Sequence, residues 1–184
     1  MVSAAEQMAA NLSWSSIGKA KDLQNRILYA LLLLIIYRAG TYVPVPGVDA
    51  EQLKIFFEQN SQGIGGMLNM FTGGAVGRMA VFALGIMPYI TSSIIMQLLT
   101  SMVPYLEQLK KEGEQGRQKI NQYTRYGTVI LAFFQSWGIA AGIEAQGLAS
   151  DPGLFFRISC VVTLVGGTML LMWLGEQITQ RGIG

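Results

Sequence analysis

The sequence predicts an all-α, polytopic membrane protein, and three observations carry that prediction. Hydrophobic residues make up 51% of the 184 residues, with 22 glycines besides, while charged residues are 13%, about half the share usual in soluble domains. Four long apolar runs occur along the chain, each near the roughly 20 residues that a helix needs to cross a bilayer. Lys and Arg are concentrated in alternate connections between those runs, as expected when basic loops stay in the cytoplasm. The same composition excludes other classes. A net charge of +2 is too small for nucleic-acid readout, and a lone Cys160 cannot form an internal disulfide. The chain has no His, the commonest general base and metal ligand.

Residues 1–26 read as a cytoplasmic tail that can lie on the membrane surface, with Lys19, Lys21 and Arg26 near the first span. That span covers about 27–43, through ILYALLLLIIY, and Arg38 is its one charge. Arg38 therefore needs a polar partner or access to water. The run is not a cleaved signal peptide, because some 25 residues precede it and Pro44-Val45-Pro46 follows it. Pro44-Val45-Pro46-Gly47 makes a rigid exit. A short helix follows, over Asp49-Ala50-Glu51-Gln52-Leu53-Lys54-Ile55-Phe56-Phe57, with Asp49 as its N-cap.

Next comes Gly63-Ile64-Gly65-Gly66-Met67-Leu68-Asn69-Met70-Phe71-Thr72-Gly73-Gly74, an apolar piece too short to span and bracketed by glycines. Irregular backbone at membrane depth must be enclosed by protein or water, so this segment fits either a re-entrant, movable gate or an external loop. The second span, about 79–103, contains Pro88, which is expected to kink it. Ile86, Ile90, Ser93 and Gln97 share one face by helical spacing. An amide in hydrocarbon is costly unless hydrogen-bonded, so this stripe either lines a pore or packs on another helix. Gln135-Ser136 in the third span, about 126–143, poses the same question. Gly138 and Gly142 in that span, and Gly166-Gly167 in the fourth, about 158–175, permit close helix contact.

The loop between spans two and three holds Lys110, Lys111, Arg117 and Lys119, whereas the loop after span three has Glu144 and Asp151 and no basic residue before Arg157. Tail and second loop are thus cytoplasmic. No two acidic residues are placed as a carboxylate pair within a span, and no zinc spacing, P-loop or serine elbow is present. The chain is read as a non-enzyme with no cofactor and no metal.

Several motifs carry a resemblance. They are Pro44-Val45-Pro46-Gly47, Asn69-Met70-Phe71-Thr72-Gly73-Gly74, Phe82-Ala83-Leu84-Gly85-Ile86-Met87-Pro88-Tyr89-Ile90 and Lys110-Lys111-Glu112-Gly113-Glu114. Gln122-Tyr123-Thr124-Arg125-Tyr126-Gly127 and Trp173-Leu174-Gly175-Glu176-Gln177-Ile178-Thr179 follow in the same order. Together they resemble the bacterial SecY family, channel subunits of the general secretion translocon. The resemblance implies a ten-span, pseudo-symmetric channel of the bacterial cytoplasmic (inner) membrane, of which residues 27–184 supply the first four spans. The family continues into a fifth span beyond Gly184, so the chain is expected to be part of a longer protein. Ile86 and Ile90 match two members of the apolar pore ring, and residues 63–74 match the plug that closes the resting channel. Gln97 and Gln135 match polar positions of the lateral gate. Lys110, Lys111, Arg117 and Lys119 match a cytoplasmic loop that faces the SecA motor or the ribosome. Implied partners also include SecE, SecG, signal sequences, nascent polypeptides and membrane lipid. Half of a small-solute secondary transporter is the competing class. It would need buried charged or coordinating groups where the stripe offers isoleucines.

Overall fold

The computed structural model describes residues 21–59 and 62–183. The expected tail over 1–26 therefore lies mostly outside the described residues, Lys19 included. Seven helices occur among the described residues: α1 (Lys21–Gly40), α2 (Ala50–Gln59), α3 (Ile64–Phe71), α4 (Met87–Met102), α5 (Pro104–Lys111), α6 (Glu114–Ala145) and α7 (Leu154–Arg181). No strand is present among them, only two isolated bridges, Pro44 with Ala80 and Val48 with Ala149. The described chain divides into two compact units, one holding the residues up to 37 with those from 174 onward, the other holding 38–173.

In the first unit, the body of α1 is apolar on every side, and Leu28, Leu31, Leu32, Leu34, Ile35 and Ile36 are all exposed while Leu33 is buried. A helix of this kind is stable only in apolar surroundings. The Tyr29 hydroxyl donates to Gln177 Oε1 at 3.2 Å, tying the two chain segments of this unit together.

The second unit holds the core, in which Val45, Leu53, Met79 and Leu84 meet Ala140, Ile143, Leu148, Phe156, Cys160 and Leu164. The chain leaving α1 is clamped from two sides. Val45 N–H donates to Met79 O and Val81 N–H to Val43 O, while Asp49 N–H donates to Leu148 O and Ser150 N–H to Gly47 O. Asp49 caps α2 as expected, its Oδ1 accepting from Glu51 and Gln52 N–H at 3.0 and 3.3 Å. Glu144 fastens the connection between α6 and α7, accepting from Gly153 N–H at 2.9 Å and from Arg157 Nε at 2.6 Å.

Two helices among the described residues, α6 and α7, are long and apolar enough to cross a membrane. With 32 and 28 residues they extend about 48 and 42 Å, beyond the ~30 Å hydrocarbon layer, so both overrun the expected bounds of 126–143 and 158–175.

The expected second span, 79–103, is not helical throughout. Residues 72–86 run through successive turns, and helix begins only at Met87. Positive φ at Met79 (46°) and Gly85 (58°) breaks the helical path on either side of Phe82. Phe82 is 2% exposed, held where a Cβ on Gly40 would strike its ring, and a Cβ on Gly167 would lie 1.9 Å from Val81 O. The burial of this bend overrides the uncharged run that read as one long helix. Pro88 consequently kinks nothing. It stands in the first turn of α4, where its missing N–H has no helical acceptor to lose.

Candidate functional site

The glycine-bracketed segment folds as the eight-residue helix α3 (Ile64–Phe71) followed by a glycine turn. Its carboxyl end is closed by a Schellman cap, Gly74 N–H donating to Asn69 O at 2.8 Å and Gly73 N–H to Met70 O at 3.2 Å. Gly73 and Gly74 both have positive φ, 64° and 88°, which the cap requires and which glycine adopts without a Cβ penalty. Asn69 holds the following turn as well, its Oδ1 accepting from Gly77 N–H at 2.7 Å. Ile64, Met67, Met70 and Phe71 are 65–84% exposed, and the polar contacts of α3 gather at its carboxyl end.

Arg38 finds its expected partner here: Nη1 donates to the Gly73 carbonyl at 2.8 Å. Its guanidinium also faces the Tyr42 ring at 5.5 Å, with that of Arg78 against the same ring at 4.2 Å. Sequence reading anticipated the need of Arg38 but not the roles of Tyr42, Asn69 and Arg78. A lone charge in an apolar run signals that a partner exists without saying which backbone carbonyl supplies it.

Ile86 is the N-cap of α4 and Ile90 stands one turn on, its N–H donating to Ile86 O at 3.0 Å. The two side chains are 48% and 41% exposed. Further along α4, Ser92 is buried and its Oγ donates to Thr124 O of α6 at 2.8 Å. A Cβ on Gly127 would come within 2.5 Å of that Oγ, so the two helices cross in close contact at this point. Sequence reading placed close contact at Gly138 and Gly142 instead. A Cβ at either would meet nothing within 4 Å among the described residues.

Ser93 and Gln97 line a cavity of about 220 Å³ between α4, α5 and α6, together with Thr100, Lys110, Arg117 and Asn121. Its lining pairs later residues of α4 with earlier residues of α6, so the two helices run antiparallel. Gln135 does not line it. From the crossing at Ser92 and Gly127, Gln97 lies toward one end and Gln135 toward the other, about 20 Å apart along the pair at 1.5 Å per residue. The two expected gate amides therefore do not meet.

The basic loop proves to be largely helical. Lys110 and Lys111 end α5, Gly113 makes the turn at φ 81°, and Arg117 and Lys119 stand in the opening turns of α6. Lys111 pairs with Glu107 at 2.7 Å, and that contact holds the Glu107 carboxyl below the ordinary carboxylate range. Lys110 and Arg117 also face a second cavity, of about 540 Å³. Among the described residues no three His, Cys, Asp or Glu side chains gather where an ion could be held.

A helical membrane protein is the class these features define, with apolar helices long enough to span and a short capped helix hinged on glycines. The chain belongs to the SecY family, whose family model matches residues 80–184. It is 55% identical over 174 residues to the protein translocase subunit SecY of Escherichia coli, covering 92% of this chain and 39% of that protein. The corresponding subunit of Buchnera aphidicola is 55% identical over 174 residues, covering 92% of this chain and 49% of that protein. That of Pseudomonas aeruginosa is 53% identical over 173 residues, covering 94% and 39%. The chain thus spans less than half the length of these curated relatives.

Proposed function

We propose that this chain forms the N-terminal part of a protein-conducting channel in the bacterial cytoplasmic membrane, acting by binding and conduction without catalysis. Residues 1–26 form the cytoplasmic tail, and 27–184 supply four of ten spans, with α1, the 79–103 segment containing α4, α6 and α7 as the crossings. Ile86 and Ile90 contribute to an apolar ring that seals around a passing chain, since a branched hydrocarbon is bulky and offers no hydrogen bond to an arbitrary polypeptide. Residues 63–74 close the channel at rest. The antiparallel pair α4 and α6 forms one wall of the lateral gate, on which Gln97 and Gln135 act at separate depths. Lys110, Lys111, Arg117 and Lys119 face the cytoplasm, where the SecA motor or ribosome docks, and SecE and SecG complete the assembly.

One observation supports this reading most strongly. Two isoleucines one turn apart are each more than 40% exposed at the start of α4, just past a short helix whose carboxyl end is hinged on glycines. The test replaces Ile86 and Ile90 together with Gly in the full-length polypeptide and measures resting ion conductance in planar bilayers. Leakage to small ions is expected; conductance equal to wild type contradicts the pore-ring role.

A further inference from the structure

We propose that Arg38 is a positioning residue that clasps α3 in its resting place and so sets how readily the channel opens. The inference rests on the reading of residues 63–74 as the plug. Four facts carry it. Four apolar side chains of α3, Ile64, Met67, Met70 and Phe71, are mostly exposed in this chain, so burial of these four does not fix the helix. Its carboxyl end, the negative end of the helix dipole, is where the polar contacts gather. Arg38 Nη1 donates to Gly73 O at 2.8 Å. Arg78 lies beside Gly74, its Nη2 3.1 Å from where a Cβ would stand.

Two guanidiniums at one site repel each other, and the Tyr42 ring that both approach, at 5.5 and 4.2 Å, offsets this by presenting its negative π-face. Among the described residues neither guanidinium forms an ion pair with a carboxylate. The clasp is therefore a charge-assisted bond to a backbone carbonyl at a glycine hinge. Such a bond is strong enough to bias a position, yet water can replace it once the helix swings out. Arg38 stands in the last turn of α1, so the clasp links the end of the first span to the hinge of the plug.

The test uses the full-length polypeptide with its partner subunits in lipid nanodiscs, comparing R38M, R38K and, as a control that also removes one positive charge from α1, R26M. Hydrogen exchange is read at the Gly73, Gly74 and Gly77 amides, whose N–H groups are all bonded to Asn69 or Met70. R38M is expected to speed their exchange about tenfold and to leave α6 unchanged, with R38K intermediate and R26M at wild type. Wild-type exchange at these amides in R38M overturns the clasp, as does faster exchange spread equally through α6, which would mean that the variant unfolds the unit. Should R38M not fold, R38K decides alone: exchange between one and ten times the wild-type rate supports the clasp, and wild-type exchange overturns it. Resting conductance and export of a polypeptide with a defective signal sequence are then measured on the same samples, and both should rise in R38M. Faster exchange with neither gain keeps the clasp and overturns the plug reading beneath it.

Discussion

Replacing Gly127 with Ala tests how α4 and α6 are held together. The new Cβ would lie 2.5 Å from Ser92 Oγ but 3.7 Å from Ser92 Cβ, so the clash is with the hydroxyl alone. Ser92 is 2% exposed and escapes only by rotating away from Thr124 O or by forcing the helices apart. Overpacking costs about 1–3 kcal/mol, and the lost interhelical hydrogen bond adds about 0.6–1 kcal/mol. The better helix propensity of Ala returns about 1 kcal/mol, leaving G127A destabilised by about 0.6–3 kcal/mol. S92A alone should cost about 1 kcal/mol, because Thr124 O still accepts from Thr128 Oγ1 at 2.8 Å. With Ala at both positions the Cβ atoms meet in ordinary van der Waals contact, and the propensity gain of the Gly127→Ala change is kept. G127A in the S92A background should thus be neutral or stabilising, a coupling of about 2 kcal/mol. Reversible unfolding of the full-length polypeptide in mixed micelles, followed by circular dichroism, measures the four corners of the cycle. Effects that add within ~0.5 kcal/mol would refute the close crossing at Ser92 and Gly127.

The adjacent glycines of α7 should behave oppositely. G167A drives a Cβ to 1.9 Å from the Val81 carbonyl, a backbone atom fixed by the bend, and should cost at least ~3 kcal/mol. G166A meets nothing within 4 Å and should be neutral or gain up to about 1 kcal/mol, both read from thermal unfolding. Two carboxylates should also separate. E144A removes the acceptor of Gly153 N–H and Arg157 from a side chain 10% exposed and should lower the melting temperature measurably. E107A removes a partner 51% exposed and should change it little. Since Lys111 depresses the Glu107 pKa, what stability that pair gives is present above the ordinary carboxylate range and fades as pH falls through the depressed value.

What the sequence made legible follows from what each signal encodes. The bodies of α1, α6 and α7 were evident because long uninterrupted apolar runs have few alternatives, and Asp49 announced the start of α2 through local chemistry. The bend at 72–86 was not, because the same absence of charge that marks a span also marks a buried turn. Positive φ at Met79 leaves no signature in a methionine. The helical spacing of Ile86 and Ile90 survives the correction, since both still lie at the start of α4. Gly127 was missed because close approach depends on which helix arrives opposite, whereas the GxxxG spacing at Gly138 and Gly142 marks turns of α6 where a Cβ meets no described residue within 4 Å. Arg38 was flagged as needing a partner, but its acceptor is a carbonyl, and every residue has one.

The most direct test of the central claim places a photo-crosslinking residue at position 86 of the full-length polypeptide and stalls a secretory chain in mid-export. The account predicts a strong adduct between position 86 and the stalled chain, and little from outward positions on α4 such as Ile95. An adduct from Ile95 without one from position 86 would mean that the other face of α4 lines the conduit. Absence of any adduct along α4, with the chain demonstrably stalled, would contradict the channel reading itself.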